Sequence, residues 1–410
     1  MASLGWIDFS KKDRERVNTV LELLRPDGQV DELGIGTMRD ALADTLFPGI
    51  STIQTRAKYF FIIPYILYDF LRLPPSERKK KSPTNYLEEQ EYEVMYDLAD
   101  AYNREEGHGV IGVTKRRELK EKVARRPSEV YWNGLNTLKC LDSKGLSANA
   151  FLNRANKVNA ETLVHAIAEE GHGDDPDAGF DNYFNVKVPV SLDWRTGINL
   201  ELNETEASYL RDAIMDIKDS VLAAVLESET LNDLFISSPS FVEFAKASID
   251  IIDSSQLRRN MVLAHDFAIL MEGAHIAYNQ ELQKQFLGVD SFDDAWDDWY
   301  QDLHNKMFDL AGFQPEDIFY NAPTTRPQTR LFVIEWLHLV RANQLDHDKK
   351  QKLIRAQELQ AKRKKARLQY HQKDDVKQGK RIGLRLLDFR YNNAKIIVQD
   401  IKKGLENAGR

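Results

Sequence analysis

Apolar residues recur at helical spacing through most of this 410-residue chain, and the pattern predicts a mainly α protein. Lys11 to Leu24 reads as one helix, ended by Arg25-Pro26-Asp27-Gly28, and Met38 to Phe47 as a second, stopped by Pro48-Gly49. A third helix is expected next, with Ile53, Ala57, Phe60 and Phe61 on one face. Thr55, Lys58 and Tyr59 fall opposite, with Gln54 and Arg56 at the edges. Pro64 is expected to kink it. Residues 74–83 read as a loop and Tyr86 to Asn103 as helix. Arg116 to Val123 predicts a helix, Ala124-Arg125-Arg126 a turn, and Pro127-Ser128-Glu129 opens another helix through Lys139. The region therefore reads as helix-turn-helix-like twice over.

The second half is expected to hold a C-terminal helical domain with a small strand element near 186–202, at Val186 to Leu192 and Asn199 to Leu202. Gly, Asp and Pro dominate residues 170–182 without periodicity, which marks a linker. Asn203 with Glu206 predicts a capping box and a helix through Leu226. Four or so amphipathic helices should follow from Asn232 to Val340, with Trp296, Trp299, Phe308, Phe332 and Trp336 as core. A long polar helix is expected over 344–378 and an amphipathic one over Leu384 to Leu405. The implied organisation is an N-terminal domain at 1–170, a linker at 171–183, a helical core at 184–343 and a basic helical segment at 344–410.

Composition narrows the class. With 42% hydrophobic and 10% aromatic residues the chain can bury a sizeable core. Cys140 is the single cysteine, so no intrachain disulfide can form and a reduced cytoplasm is the expected location. The opening Met1 to Trp6 has no basic-then-apolar pattern of a signal peptide. The most apolar stretch, Tyr59 to Leu71, is interrupted by Pro64 and Asp69 and falls short of the ~20 residues a membrane helix needs. Charge is unevenly spread: residues 348–385 carry 14 Lys/Arg against 4 Asp/Glu in a chain of net charge −8. A cationic tail on an anionic body can meet nucleic acid, an acidic partner, or its own body.

Candidate chemistry follows the charge. Thr55, Arg56 and Lys58 would present phosphate-binding groups near a helix N-terminus; the plainer reading pairs Arg56 with Asp40 or Asp44. Lys115, Arg116, Arg117, Lys120, Lys122, Arg125 and Arg126, followed by Ser128, make the denser nucleic-acid candidate. There the plainer reading is a surface helix pair with Tyr131 and Trp132 buried. Glu272-x-x-His275 has the i, i+3 spacing of di-iron bundles, but such sites need two of these motifs. His172 with Asp174, Asp175, Asp177 and Asp181 lacks calcium-loop spacing. Asp293, Asp294, Asp297, Asp298 and Asp302 read as an acidic interaction face. Lys362, Arg363, Lys364, Lys365 and Arg367 are the partner-binding candidates, with the acidic helix as an intramolecular alternative. No Gly-Lys-Ser/Thr phosphate loop or nucleophile elbow occurs. No cofactor and no metal is expected.

Several blocks resemble an uncharacterised bacterial domain-of-unknown-function family. They are Ser3-Leu4-Gly5-Trp6-Ile7-Asp8-Phe9-Ser10, then Asp31 to Asp40 running on into Ser51 to Ala57, then Arg126-Pro127-Ser128 with Tyr131 to Leu135. Leu202 to Leu210, Gly273-Ala274 with Tyr278-Asn279, and Leu387 to Tyr391 are similar to later blocks. The resemblance implies a place beside helicases and nucleases in anti-phage defence loci. The function expected is a non-catalytic, DNA-associated accessory subunit of an antiviral system. The alternatives are a protein–protein adaptor docking a helicase or nuclease, or a novel metal-dependent nuclease.

Overall fold

A computed structural model describes residues 31–78, 80–154, 186–304, 310, 312–370, 376–384 and 386–407. The expected helix at Lys11 to Leu24, the linker at 171–183 and the His172 cluster lie outside them. The protein is mainly helical. The helices that matter below are, in chain order, α1 (Gly36–Leu46), α2 (Tyr59–Leu71), α3 (Pro83–Ala101), α4 (Pro127–Thr137), α5 (Glu204–Met215), α6 (Val221–Glu227), α7 (Glu229–Ser237), α8 (Phe241–Ser248) and α9 (Ser255–Leu287). After them come α10 (Asp293–His304), α11 (Pro315–Asn321), α12 (Pro327–Arg341), α13 (His347–Lys362) and α14 (Tyr391–Glu406). The expected strands do not form among the described residues. One antiparallel bridge, Leu141 to Val186, stands in their place.

Two compact units divide the chain, and they do not follow it in order. One comprises Met1–Leu42 with Asn260–Asp388, the other Ala43–Arg259 with Phe389–Arg410.

The second of these is built around α2. Its sequence, YFFIIPYILYDFL, is apolar all round, and Tyr59 through Leu67 are all buried. A helix with no polar face must be covered on every side; α3 and α4 supply two of those covers. The expected single helix over 203–226 is two, because Asp219 takes φ +60° and Ser220 caps a new start. The capping box itself forms: the Asn203 side chain accepts from the Glu206 N–H at 2.9 Å and Glu206 accepts from the Asn203 N–H at 3.0 Å. The last helix, α14, packs on α5, and Tyr391 at its start is ringed by Phe47, Phe235, Phe241 and Phe244.

In the other unit α9 is the spine, with Met261 to Leu282 largely buried. Trp299 and Trp336 pack within 6.4 Å of one another and donate their indole N–H groups to the Ile269 and Leu270 carbonyls. The polar helix expected over 344–378 ends at Lys362, where Arg363 takes φ +51°. It is no free tail: Ile354, Gln357 and Glu358 on α13 are buried.

Gly273 lets the Trp299 ring lie against the α9 backbone, since a Cβ there would sit 2.1 Å from Trp299 Cζ2. Gly273→Ala is therefore expected to destabilise this unit by at least about 2 kcal/mol, read as an early tryptophan-fluorescence transition in urea. An unchanged transition would contradict this packing.

Candidate nucleic-acid interface

The segment 52–58 is where a recognition helix is expected, and no helix forms there: residues 54–56 are irregular and α2 begins only at Tyr59. The reason is where its backbone donors go. Tyr131 Oη accepts the N–H groups of Thr55 and Arg56 at 2.8 and 3.0 Å and donates to the Arg56 carbonyl at 2.8 Å. Asp400, on α14, accepts the Ala57 N–H at 2.8 Å. Gln54 accepts from Ser51 N–H and donates to the Gly49 carbonyl. Side chains from distant parts of the chain thus satisfy the donors that a helix would have used.

The cationic side chains of this segment point inward. Arg56 Nε lies 3.0 and 2.9 Å from the Asp400 carboxylate oxygens, and its remaining donors reach the His108 and Leu200 carbonyls. Asp400, not Asp40 or Asp44, is its partner; Asp44 pairs with Arg390. Lys58 Nζ sits 2.7 Å from both oxygens of Glu206, which also accepts from Tyr65 Oη at 2.8 Å. Lys58 and Glu206 are both buried. Thr55 Oγ1 donates to the Gly109 carbonyl at 2.6 Å. Gly109 has φ +81°, and a Cβ on it would meet Arg56 Cγ at 2.7 Å, so the turn seen in Gly107-His108-Gly109 serves to admit this arginine. None of these three residues is placed to meet a phosphate.

The second candidate differs from expectation in form. Residues 116–123 make a turn and irregular backbone, with Lys120 at φ +49°. They form a strap laid along α3. Arg117 pairs with Glu93 at 3.1 Å and Asp97 at 2.5 Å and lies over the Tyr96 ring. Lys122 pairs with Glu88 at 3.0 Å and lies over the Tyr92 ring. Glu88, Tyr92 and Tyr96 recur every fourth residue, so α3 presents them as one row. Tyr96 Oη fastens the strap further by donating to the Glu121 carbonyl at 2.9 Å. Arg126 stands 3.5 Å from Glu88 and Glu91 and 3.6 Å from Glu129. The other strap cations point away: Arg116, Lys120 and Arg125 are exposed and make no side-chain hydrogen bond or ion pair among the described residues. Lys115 is half-buried, and its carbonyl accepts from Arg104.

Ser128 opens α4, as expected, but faces inward. Its N–H and hydroxyl donate to the two oxygens of Glu91 at 2.5 and 2.9 Å. Burial pushes the Glu91 carboxyl up to about 7, against the lowering pull of these donors and of Arg126. Sequence reasoning missed Glu91, Asp400 and Tyr131 as organisers. Glu206 was legible as a cap, though not as the partner of Lys58.

The partner-binding candidates are split by their surroundings. The Lys362 side chain is 8% exposed and pairs with Glu32 at 3.1 Å. Arg363, Lys364 and Lys365 are exposed, and the Arg367 N–H donates to Glu358. The cation that lies on the acidic helix is instead Lys350, whose Nζ is 3.7 Å from the Trp296 ring centre and whose pKa burial lowers. Asp293, Asp294, Asp297 and Asp298 face solvent on α10. Glu272 is held by Arg381 at 2.6 and 2.8 Å. His275 is fully buried against the Met271 carbonyl, and burial pushes its pKa down to about 4. Among the described residues no three His, Cys, Asp or Glu side chains converge on a metal position, and no helix is long and apolar enough to cross a membrane.

The fold and this arrangement define a mainly helical, two-unit protein whose candidate cations are divided between ion pairs with its own carboxylates and exposed positions. The sequence pattern of a family of unknown function, DUF6361, matches residues 1–291, and the chain belongs to that family. Neither the curated proteins nor the solved structures contain a match to it.

Two measurements check this geometry. Lys58→Met leaves a buried carboxylate uncompensated and is expected to cost about 3–5 kcal/mol. Adding Glu206→Gln, which keeps the cap, should recover part of that in a double-mutant cycle; strict additivity would deny the pairing. The Glu91 carboxyl binds its proton more tightly in the fold than in the unfolded chain. Its contribution is therefore complete below about pH 4.5 and lost as pH rises to about 7. The stability difference between the wild type and Glu91→Gln should shift by on the order of 3 kcal/mol over that window. A pH-independent difference would contradict the burial.

Proposed function

We propose that this chain is a non-catalytic, DNA-associated accessory subunit of a bacterial antiviral system, with duplex contact confined to the outward row of the strap. One observation carries the reading: Arg116, Lys120 and Arg125 are exposed and uncommitted to carboxylates among the described residues, while Arg117 and Lys122 fix the same strap to α3. A backbone already held in place loses little freedom on binding, so three cations on it can act as a unit. Three phosphate contacts make for modest, salt-sensitive affinity without base readout. The antiviral setting comes from the resemblance of the N-terminal blocks and not from geometry.

A second reading is favoured by α10. Its Trp296 and Trp299 anchor the helix while Asp293, Asp294, Asp297 and Asp298 face solvent, a rigid anionic surface suited to a basic face of a helicase or nuclease subunit.

Electrophoretic mobility shift on duplex DNA at low salt separates the two. A shift by the wild type that is lost in Arg116→Glu/Lys120→Glu/Arg125→Glu and retained in Asp293→Lys/Asp297→Lys supports the strap. If the wild type gives no shift, the DNA reading falls. Co-purification with a helicase or nuclease that survives nuclease treatment and is lost in Asp293→Lys/Asp297→Lys would then establish the adaptor.

A further inference from the structure

A cavity of about 260 Å³ opens beside the N-terminus of α4, lined by Arg126, Glu129, Trp132, Thr84 and Asn149 above an apolar base of Leu87 and Leu152. Its size is below the range usual for whole drug-like ligands, which limits the occupant to a ring-sized group. The Trp132 indole forms one wall and cannot swing: its N–H donates to the Leu146 carbonyl at 2.9 Å and its ring packs on Phe151.

Two lining groups have unused hydrogen-bonding capacity. A guanidinium carries five N–H donors, yet the Arg126 side chain makes no hydrogen bond among the described residues. Its three carboxylate neighbours stand at 3.5, 3.5 and 3.6 Å, beyond good donor geometry. That side chain is 17% exposed, so these donors can take up an acceptor offered from the cavity. Thr84 Oγ1 is likewise buried without a partner. A buried hydroxyl left open in this way calls for an explanation.

The charges around the cavity decide the ligand's character. The charged groups that line it are Arg126 and Glu129, one of each sign, so a neutral, planar group with both acceptors and donors on its edge is favoured. Arginine meets the O6/N7 acceptor edge of guanine in a two-bonded fork. Glu129 keeps one oxygen in the helix cap, where it accepts the Arg126 N–H at 2.9 Å, and has the other for ring N–H donors. We propose that this cavity binds a single unpaired guanine base, stacked on Trp132, with Arg126 on its acceptor edge and Glu129 on its donor edge. The base comes either from a free nucleotide or from a nucleic-acid strand whose sugar–phosphate stays outside. The inference does not rest on the strap, since Arg116, Lys120 and Arg125 take no part in it.

The test is isothermal titration of the full chain with guanosine, adenosine, cytidine and uridine, which removes phosphate from the comparison. Guanosine should bind saturably and at least about tenfold more tightly than the other three. Trp132→Leu should weaken it by about tenfold or more through lost stacking. Glu129→Gln should weaken it comparably while keeping the cap, since glutamine also serves at that position; this second variant guards against a Trp132 change that fails to fold. Arg116→Glu/Lys120→Glu/Arg125→Glu should leave guanosine affinity unchanged, so failure of the strap reading and failure of this one are told apart. Equal weak binding of all four nucleosides, or guanosine affinity indifferent to both pocket variants, overturns the proposal. Given guanosine binding, an eleven-nucleotide thymidine strand with one central dG that binds at least tenfold better than the all-thymidine strand assigns the base to a strand. Equal binding of the two strands assigns it to a free nucleotide.

Discussion

The carboxylates of Asp400 and Glu206 set the course of residues 54–58, and the unit that contains them is organised from there. A chain that has to bring Arg56 and Lys58 under cover cannot leave them unpaired, because an isolated buried charge costs several kcal/mol. Asp400 answers Arg56 from the last helix and Glu206 answers Lys58 from the start of α5. Tyr131 meanwhile takes the backbone donors that a helix would have used. With those bonds made, α2 can begin at Tyr59 and bury its apolar surface on every side. The same carboxylates that let the segment enter the core remove its cations from any external partner.

The strap along α3 shows the opposite balance. Arg117 and Lys122 are neutralised at the surface, where ion pairs are individually weak, and several such contacts with two tyrosine rings act together. Their effect is positional: they hold a loop still so that the remaining cations face outward. Density of Lys and Arg in sequence therefore overstates the cationic surface. Of the Lys/Arg candidates for nucleic acid, Arg56 and Lys58 are structural, Arg117 is a fastener, and Arg126 lines a cavity.

Much of the fold was legible and the reasons are local. Period-3.6 patterning placed α1, α3 and α4 within a few residues and α14 with a start seven residues early, proline at the first turn marked α4, and Asn203 with Glu206 marked α5 through capping chemistry. What failed had a long-range cause. The helix expected over 52–58 lost its backbone donors to Tyr131 and Asp400, the latter more than 340 residues away in sequence. The helix expected over 116–123 yielded to side chains of α3, and the strands expected near 186–202 found, among the described residues, a single bridge and no partner strand. At the interface, cationic residues could be named from sequence, but which were spent internally depended on where distant carboxylates fell. The cavity beside α4 left only a faint sequence trace, a proline, a serine and an aromatic pair, since its shape comes from α3 and the segment after Leu146.

If only the outward strap residues meet duplex DNA, the number of counterions released on binding is small. The logarithm of the binding constant plotted against the logarithm of salt concentration should then fall with a slope of about −3, from roughly 0.9 per phosphate over three contacts. A slope of about −8, as expected were all nine Lys and Arg candidates of the two segments engaged, would contradict the internal pairing of Arg56, Lys58, Arg117, Lys122 and Arg126.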